Sequence, residues 1–110
     1  MSQVDGVAPP SPTPEQFDQI ALLFKVLGEP MRLRILQAVC HSPRFVGEIV
    51  ALTGATQPNV SKHLALLISS GILRRQRKGQ RVSYALKNPL VTRLCELVCA
   101  SLPAHQGLPN

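Results

Sequence analysis

Cys95 and Cys99 stand four residues apart, so both thiols lie on one face if their segment is helical. Two thiolates at that separation can share a soft ion such as trivalent arsenic. A third sulfur, from Cys40, would complete the ligand set of such a metalloid or metal ion. The same thiols can instead be oxidised or attacked by reactive sulfur. A bridge directly between Cys95 and Cys99 is disfavoured, because helical i, i+4 geometry suits a disulfide poorly. Plain packing is the third reading, since cysteine is among the most buried residue types and all three sit in apolar stretches. Three cysteines form no paired framework, and Met1-Ser2-Gln3-Val4-Asp5 has no basic, then apolar, leader character. No apolar run reaches membrane length. The expected setting is the cytoplasm, with reduced thiols and no membrane partner.

A second chemical signal is charge. Residues 1–48 hold four basic and five acidic side chains, residues 49–95 hold eight basic and no acidic ones, and residues 96–110 add only Glu96. The formal net charge of +6 therefore resides in one middle segment. A basic block of this kind suits a polyanion, most simply nucleic acid, although a solvated basic face would look the same by composition. Enzyme chemistry is disfavoured. Six acidic residues, none between 49 and 95, and three scattered histidines make an acid–base site hard to build, and adjacency of Cys40 and His41 does not aim one at the other. Aromatic residues are 4% with no Trp, which argues against a large aromatic pocket.

The elements that must position these residues are legible in the punctuation. Residues 1–14 contain four prolines and read as a flexible arm. Thr13-Pro14-Glu15 offers a helix cap, followed at helical spacing by Phe17, Ile20, Ala21, Phe24 and Leu27, with Gly28 as the break. Pro30 opens a second helix to about Cys40, and Ser42-Pro43 marks a loop. Val46 to Leu52 fits a short helix stopped at Thr53-Gly54. Thr56 caps a further helix through Val60, Leu64, Leu67 and Ile68 to Gly71. Ile72–Arg77 and Gln80–Leu86 read as two strands around Lys78-Gly79. Pro89 opens a last helix to about Ser101, and residues 103–110 form a loose tail. The class is mainly α with a small β-hairpin wing, a winged helix-turn-helix domain over residues 15–102.

In that arrangement the helix after Thr56 presents Gln57, Asn59, Ser61, Lys62 and His63 on its first turns. Gln and Asn can pair bidentately with adenine, and Lys62 can reach guanine or phosphate. The hairpin carries Arg74, Arg75, Arg77, Lys78 and Arg81 within eight residues. Alternation puts Arg75 and Arg77 on one face and Arg74 and Gln76 on the other. Basic edge strands also serve to block aggregation, but five such residues exceed that need. They would supply affinity and salt dependence while the helix supplies sequence choice. Double-stranded DNA is thus the expected partner. The alternative is a basic winged-helix module that binds protein or RNA without thiol sensing.

Gly28-Glu29-Pro30-Met31-Arg32-Leu33-Arg34-Ile35-Leu36 resembles the second-helix signature of the ArsR/SmtB family of bacterial winged-helix repressors. Gln57-Pro58-Asn59-Val60-Ser61-Lys62-His63-Leu64, with Ser70-Gly71-Ile72-Leu73, is similar to that family's recognition helix and its exit. Arg77 to Leu86 resembles the wing, and Asn88-Pro89 the start of the last helix. The likeness covers roughly residues 17–102. It implies a homodimeric repressor that leaves operator DNA when an effector arrives; a small inorganic effector would suit the thiols. It also implies dimerisation through the first and last helices. Phe17, Ile20, Phe24, Leu90, Leu94, Leu97 and Val98 are the expected interface, and the last helix is apolar nearly all round, more than so small a domain can bury alone. Two metal patterns of the family are missing. The segment Phe45-Val46-Gly47-Glu48 has no cysteine where the arsenic-type motif would fall, and the last helix offers only Glu96 toward a zinc-type site. Cys95, Cys99 and Cys40 are the remaining candidates.

Overall fold

The computed structural model describes residues 10–102; most of the proline-rich arm, residues 1–9, and the whole of the tail, 103–110, lie outside the described residues. Helix α1 (Pro14–Leu27) begins where two backbone donors find side-chain partners. The Thr13 hydroxyl accepts from the Gln16 N–H at 3.1 Å, and the Thr13 N–H donates to Gln16 Oε1 at 2.9 Å. Thr13 and Pro14 therefore belong to the helix start rather than to the arm. The break before α2 (Pro30–Val39) owes more to Pro30 than to Gly28. Gly28 has an ordinary negative φ of −84°, while Glu29 takes the extended φ −127°, ψ 123° that a following proline favours.

Strand β1 (Arg44–Phe45) follows, then α3 (Val46–Thr53), α4 (Gln57–Ser69), β2 (Leu73–Lys78), β3 (Arg81–Leu86) and α5 (Pro89–Ala100). The sheet has three strands in the order β1-β3-β2, all antiparallel, where the sequence alone suggested a two-stranded hairpin. Two residues at Arg44–Phe45 are too short to show alternation, so nothing in the pattern announced them. Their pairing with Tyr84 and Ser83 ties the base of the hairpin to the entrance of α3.

Helices α3 and α4 form the helix-turn-helix. Gly54 closes α3 at φ +75°, ψ 6°, a left-handed conformation costly to any residue with a Cβ. Two residues later the Thr56 hydroxyl caps α4. The core lies where α2, α3 and α4 meet the sheet: Ile35, Leu36 and Val39, then Ile49, then Val60, Leu64 and Leu67, with Ile72 and Leu73 beneath. Burying each of these side chains contributes about 1.5–3 kcal/mol, which fixes the angle between α3 and α4. The terminal helices are attached more lightly. Helix α1 is fully buried only at Val26 and Leu27, and α5 only at Val91, with Leu94 and Cys95 half-buried. Among the described residues no helix is long and apolar enough to cross a membrane.

Candidate nucleic-acid interface

The start of α4 is built so that its polar residues face out. Val60, Leu64 and Leu67 are buried, so the helical period leaves Gln57, Asn59, Ser61 and Lys62 exposed. The Thr56 hydroxyl accepts from Asn59 N–H at 3.3 Å and Pro58 has no N–H, which leaves the Gln57 N–H and the positive end of the helix dipole at the start of α4. An anion such as a backbone phosphate is favoured there.

His63 does not join that row. Its side chain is only 11% exposed, and its ring turns back toward α2. Sequence periodicity placed it beside Lys62 on the polar side. The structure gives it an internal partner: Arg32 Nε donates to His63 Nδ1 at 3.3 Å.

In the wing, the turn at the tip is Gly79-Gln80, with Gly79 at φ +65°. The five basic residues divide. Arg74 Nη1 donates to the Leu86 carbonyl at 3.0 Å, and with the Gln76 amide turned so that its oxygen faces Arg74, Nε and Nη2 donate to it at 3.1 and 3.2 Å. The expected pairing of Arg74 with Gln76 on one face is what brings them together. The Arg81 guanidinium lies over the Phe45 ring, 3.5 Å from its centroid, a cation–π contact that braces the wing against β1. Arg77 reaches the Gly79 carbonyl at 3.5 Å and stays exposed, as do Arg75 and Lys78. Among the described residues no Lys or Arg forms an ion pair with a carboxylate, so the positive charge of α4 and the wing is uncompensated. Sequence reasoning missed three contributors here: Phe45, Arg32 and Glu29. An acidic residue directly before a first-turn proline was the available sign for Glu29, whose Oε1 accepts from Arg32 N–H at 2.9 Å and caps α2.

The three cysteines are free thiols on the other side of the sequence pattern. Cys40 ends α2 and its Sγ donates to the Gln37 carbonyl at 3.1 Å. Cys95 is half-buried against the core, and Cys99, one turn along, is exposed. Burial pushes the Cys95 thiol pKa up, and the nearby Cys99 and Cys40 raise it further. Among the described residues no group of three or more His, Cys, Asp or Glu side chains is gathered closely enough to hold a metal ion.

Of the expected interface residues, Phe17, Ile20, Phe24, Leu90, Leu97 and Val98 are exposed. Leu94 is half-buried against the chain's own core.

Residues 29–75, which run from the cap of α2 into β2, match the model of the arsR family of bacterial regulatory proteins. The chain is 35% identical over 80 residues to a protein of Streptomyces lividans named "Probable mercury resistance operon repressor", covering 73% of this chain and 64% of that one, just under two thirds of its length. It is 38% identical over 91 residues to the HTH-type transcriptional regulator CmtR of Mycobacterium tuberculosis, covering 82% of this chain and 77% of that protein. The fold superposes with a TM-score of 0.71 and 29% identity on the homodimeric winged helix-turn-helix DNA-binding domain of Mb0332 from Mycobacterium bovis, covering 86% and 90% of the two chains. With its helix-turn-helix, its wing and these relatives, the chain belongs to the ArsR/SmtB family of bacterial transcriptional regulators.

Proposed function

We propose that this chain is a homodimeric transcriptional repressor that binds operator DNA through α4 and the wing. One observation carries the reading: exposed Gln57, Asn59, Ser61 and Lys62 share the molecule with a basic wing whose charge no carboxylate neutralises among the described residues. Phosphate contacts by Arg75, Arg77 and Lys78 would fix register, and the polar side chains of α4 would read base edges. The protein acts in the cytoplasm and is not an enzyme. The test is titration against its own promoter over a range of salt. Affinity should fall steeply with salt, and Lys62→Ala or Arg77→Ala should weaken binding and reduce the salt slope by about 1 each. Binding indifferent to salt and to both substitutions counts against the proposal. A random-sequence selection that returns no preferred duplex would favour instead a basic winged-helix module for protein or RNA.

The regulatory half of the proposal is that the thiols govern release from DNA. It is supported by the spacing of Cys95 and Cys99 one turn apart on α5, with Cys99 exposed to reagents. The chemistry that fits them is capture of a soft ion by the thiolates, or oxidation or attack by reactive sulfur. Arsenite, persulfide and peroxide should be compared on the DNA complex of the parent and of each Cys→Ser variant. A Cys95→Ser/Cys99→Ser protein that responds as the parent does defeats the thiol proposal.

A further inference from the structure

Three segments meet at one guanidinium. Arg32 Nη1 donates to the Val26 carbonyl near the end of α1 at 2.8 Å, and its Nε donates to His63 Nδ1 on α4 at 3.3 Å. Glu29, whose carboxylate caps α2 through the Arg32 N–H, also lies 3.9 Å from His63 Nε2. The imidazole therefore accepts a hydrogen bond from a guanidinium at one nitrogen and faces a carboxylate, beyond hydrogen-bond reach, across the other. These contacts differ in kind from the rest of the seat of α4. Val60, Leu64 and Leu67 hold the helix by apolar burial, which is non-directional and tolerates a small rotation about the helix axis. A hydrogen bond from a fixed guanidinium to a ring nitrogen has a required distance and angle, and it resists that rotation. His63 directly follows Lys62 and lies one turn beyond Asn59, so a change in roll there moves the exposed row by a like amount.

We propose that His63 is a positioning residue for base reading: through Arg32 and Glu29 it sets the roll of α4, so that Gln57, Asn59, Ser61 and Lys62 address the groove in register, and it contacts no base itself. This rests on the reading of α4 as the DNA-reading helix. Specific recognition depends on placement to within fractions of an ångström, whereas non-specific attraction to phosphate does not. The latch should therefore matter for operator affinity and hardly at all for affinity toward arbitrary duplex.

The experiment uses the full chain, with an operator duplex selected by the parent and a scrambled duplex of equal length, at one fixed salt. His63→Ala should lower operator affinity about tenfold, the effect of losing one charge-assisted hydrogen bond, while scrambled-duplex affinity stays within about twofold. His63→Asn, whose amide oxygen can stand where Nδ1 stands, should recover most of the loss. Lys62→Ala, by contrast, should weaken both duplexes. In a double-mutant cycle, Arg32→Lys and His63→Ala should be strongly non-additive in operator affinity. The proposal is overturned by an unchanged operator-to-scrambled ratio in His63→Ala, by failure of Asn to rescue, or by additivity in the cycle. A change in which base is preferred at one operator position would make His63 a direct reader and overturn it as well. Should His63→Ala not fold, the Asn and Arg32→Lys proteins decide by the same ratio. A parent protein with no preference for any duplex sinks the DNA reading itself, and this inference with it.

Discussion

At the scale of single residues, the wing and the thiols each carry a measurable consequence. Arg81 is not simply one more cation at the tip, because its guanidinium lies over the Phe45 ring, 3.5 Å from the centroid. The contact restrains a side chain that would otherwise sample many rotamers, and it contributes about 0.5–1 kcal/mol at an exposed site. Phe45→Leu keeps an apolar residue at this position but removes the ring face. We expect it to weaken binding to any duplex by a few-fold without altering sequence preference, measured by titration of operator and scrambled DNA in parallel. An altered preference would mean that Phe45 or Arg81 touches bases. For Cys95 the raised thiol pKa disfavours the thiolate, which is the reacting species. Iodoacetamide labelling of Cys95 at neutral pH should be slower than that of a free cysteine, and should rise only above the ordinary thiol range. The linked effect on folding has a definite sign. The folded state holds this proton more tightly, so stability is intact below the ordinary thiol pKa and declines as pH rises through the folded value. Labelling of Cys95 as fast as free cysteine at neutral pH would contradict this.

At the scale of elements, the punctuation residues carried most of the information. Thr13, Pro30, Thr56, Gly54 and Pro89 each mark a boundary for a stated chemical reason, and the helices begin or end at those positions. The turn at Gly54 makes the point testable. A Cβ there would meet nothing within 4 Å, so the penalty of Gly54→Ala is that of the left-handed conformation alone, about 1–2 kcal/mol. Thermal unfolding should show a melting temperature lower by about 5–10 °C. An unchanged melting temperature would show that the turn relaxes at no cost. What the sequence left unread has a common cause. Strand β1 is two residues long, and its existence depends on Ser83 and Tyr84, nearly forty positions away. The contacts of Arg32 with His63 and of Arg81 with Phe45 likewise join residues from separate elements. Periodicity shows which side of a helix is apolar, and it placed Val60, Leu64 and Leu67 correctly. It cannot show that a polar residue at the edge of that stripe has a partner across the interface, which is why periodicity alone turns His63 toward DNA.

At the scale of the whole molecule, the shape itself asks for a second copy. The described residues extend 54 × 37 × 21 Å with a radius of gyration of 16.8 Å, against about 13 Å for a compact domain of this size. Helices α1 and α5 rest on the core at one end and by a single fully buried residue respectively. They leave Phe17, Phe24, Leu90, Leu97 and Val98 in solvent, an apolar surface that a monomer has no reason to keep. A two-fold dimer through these helices would cover that surface and present two α4 helices to one palindromic site. Leu97 is 70% exposed within one chain, so a charge there costs the isolated fold little. In a dimer, Leu97→Glu would place two carboxylates in a desolvated interface. We expect sedimentation equilibrium to show this variant as a monomer where the parent is a dimer. Its affinity for a full operator should fall by about 10²-fold or more, because the second half-site is no longer an intramolecular partner, while half-site affinity persists. Leu52→Glu, on α3 and 59% exposed, should leave the dimer intact. A dimeric Leu97→Glu protein with full operator affinity would place the interface elsewhere. A monomeric parent that still binds the full operator tightly would remove the need for one.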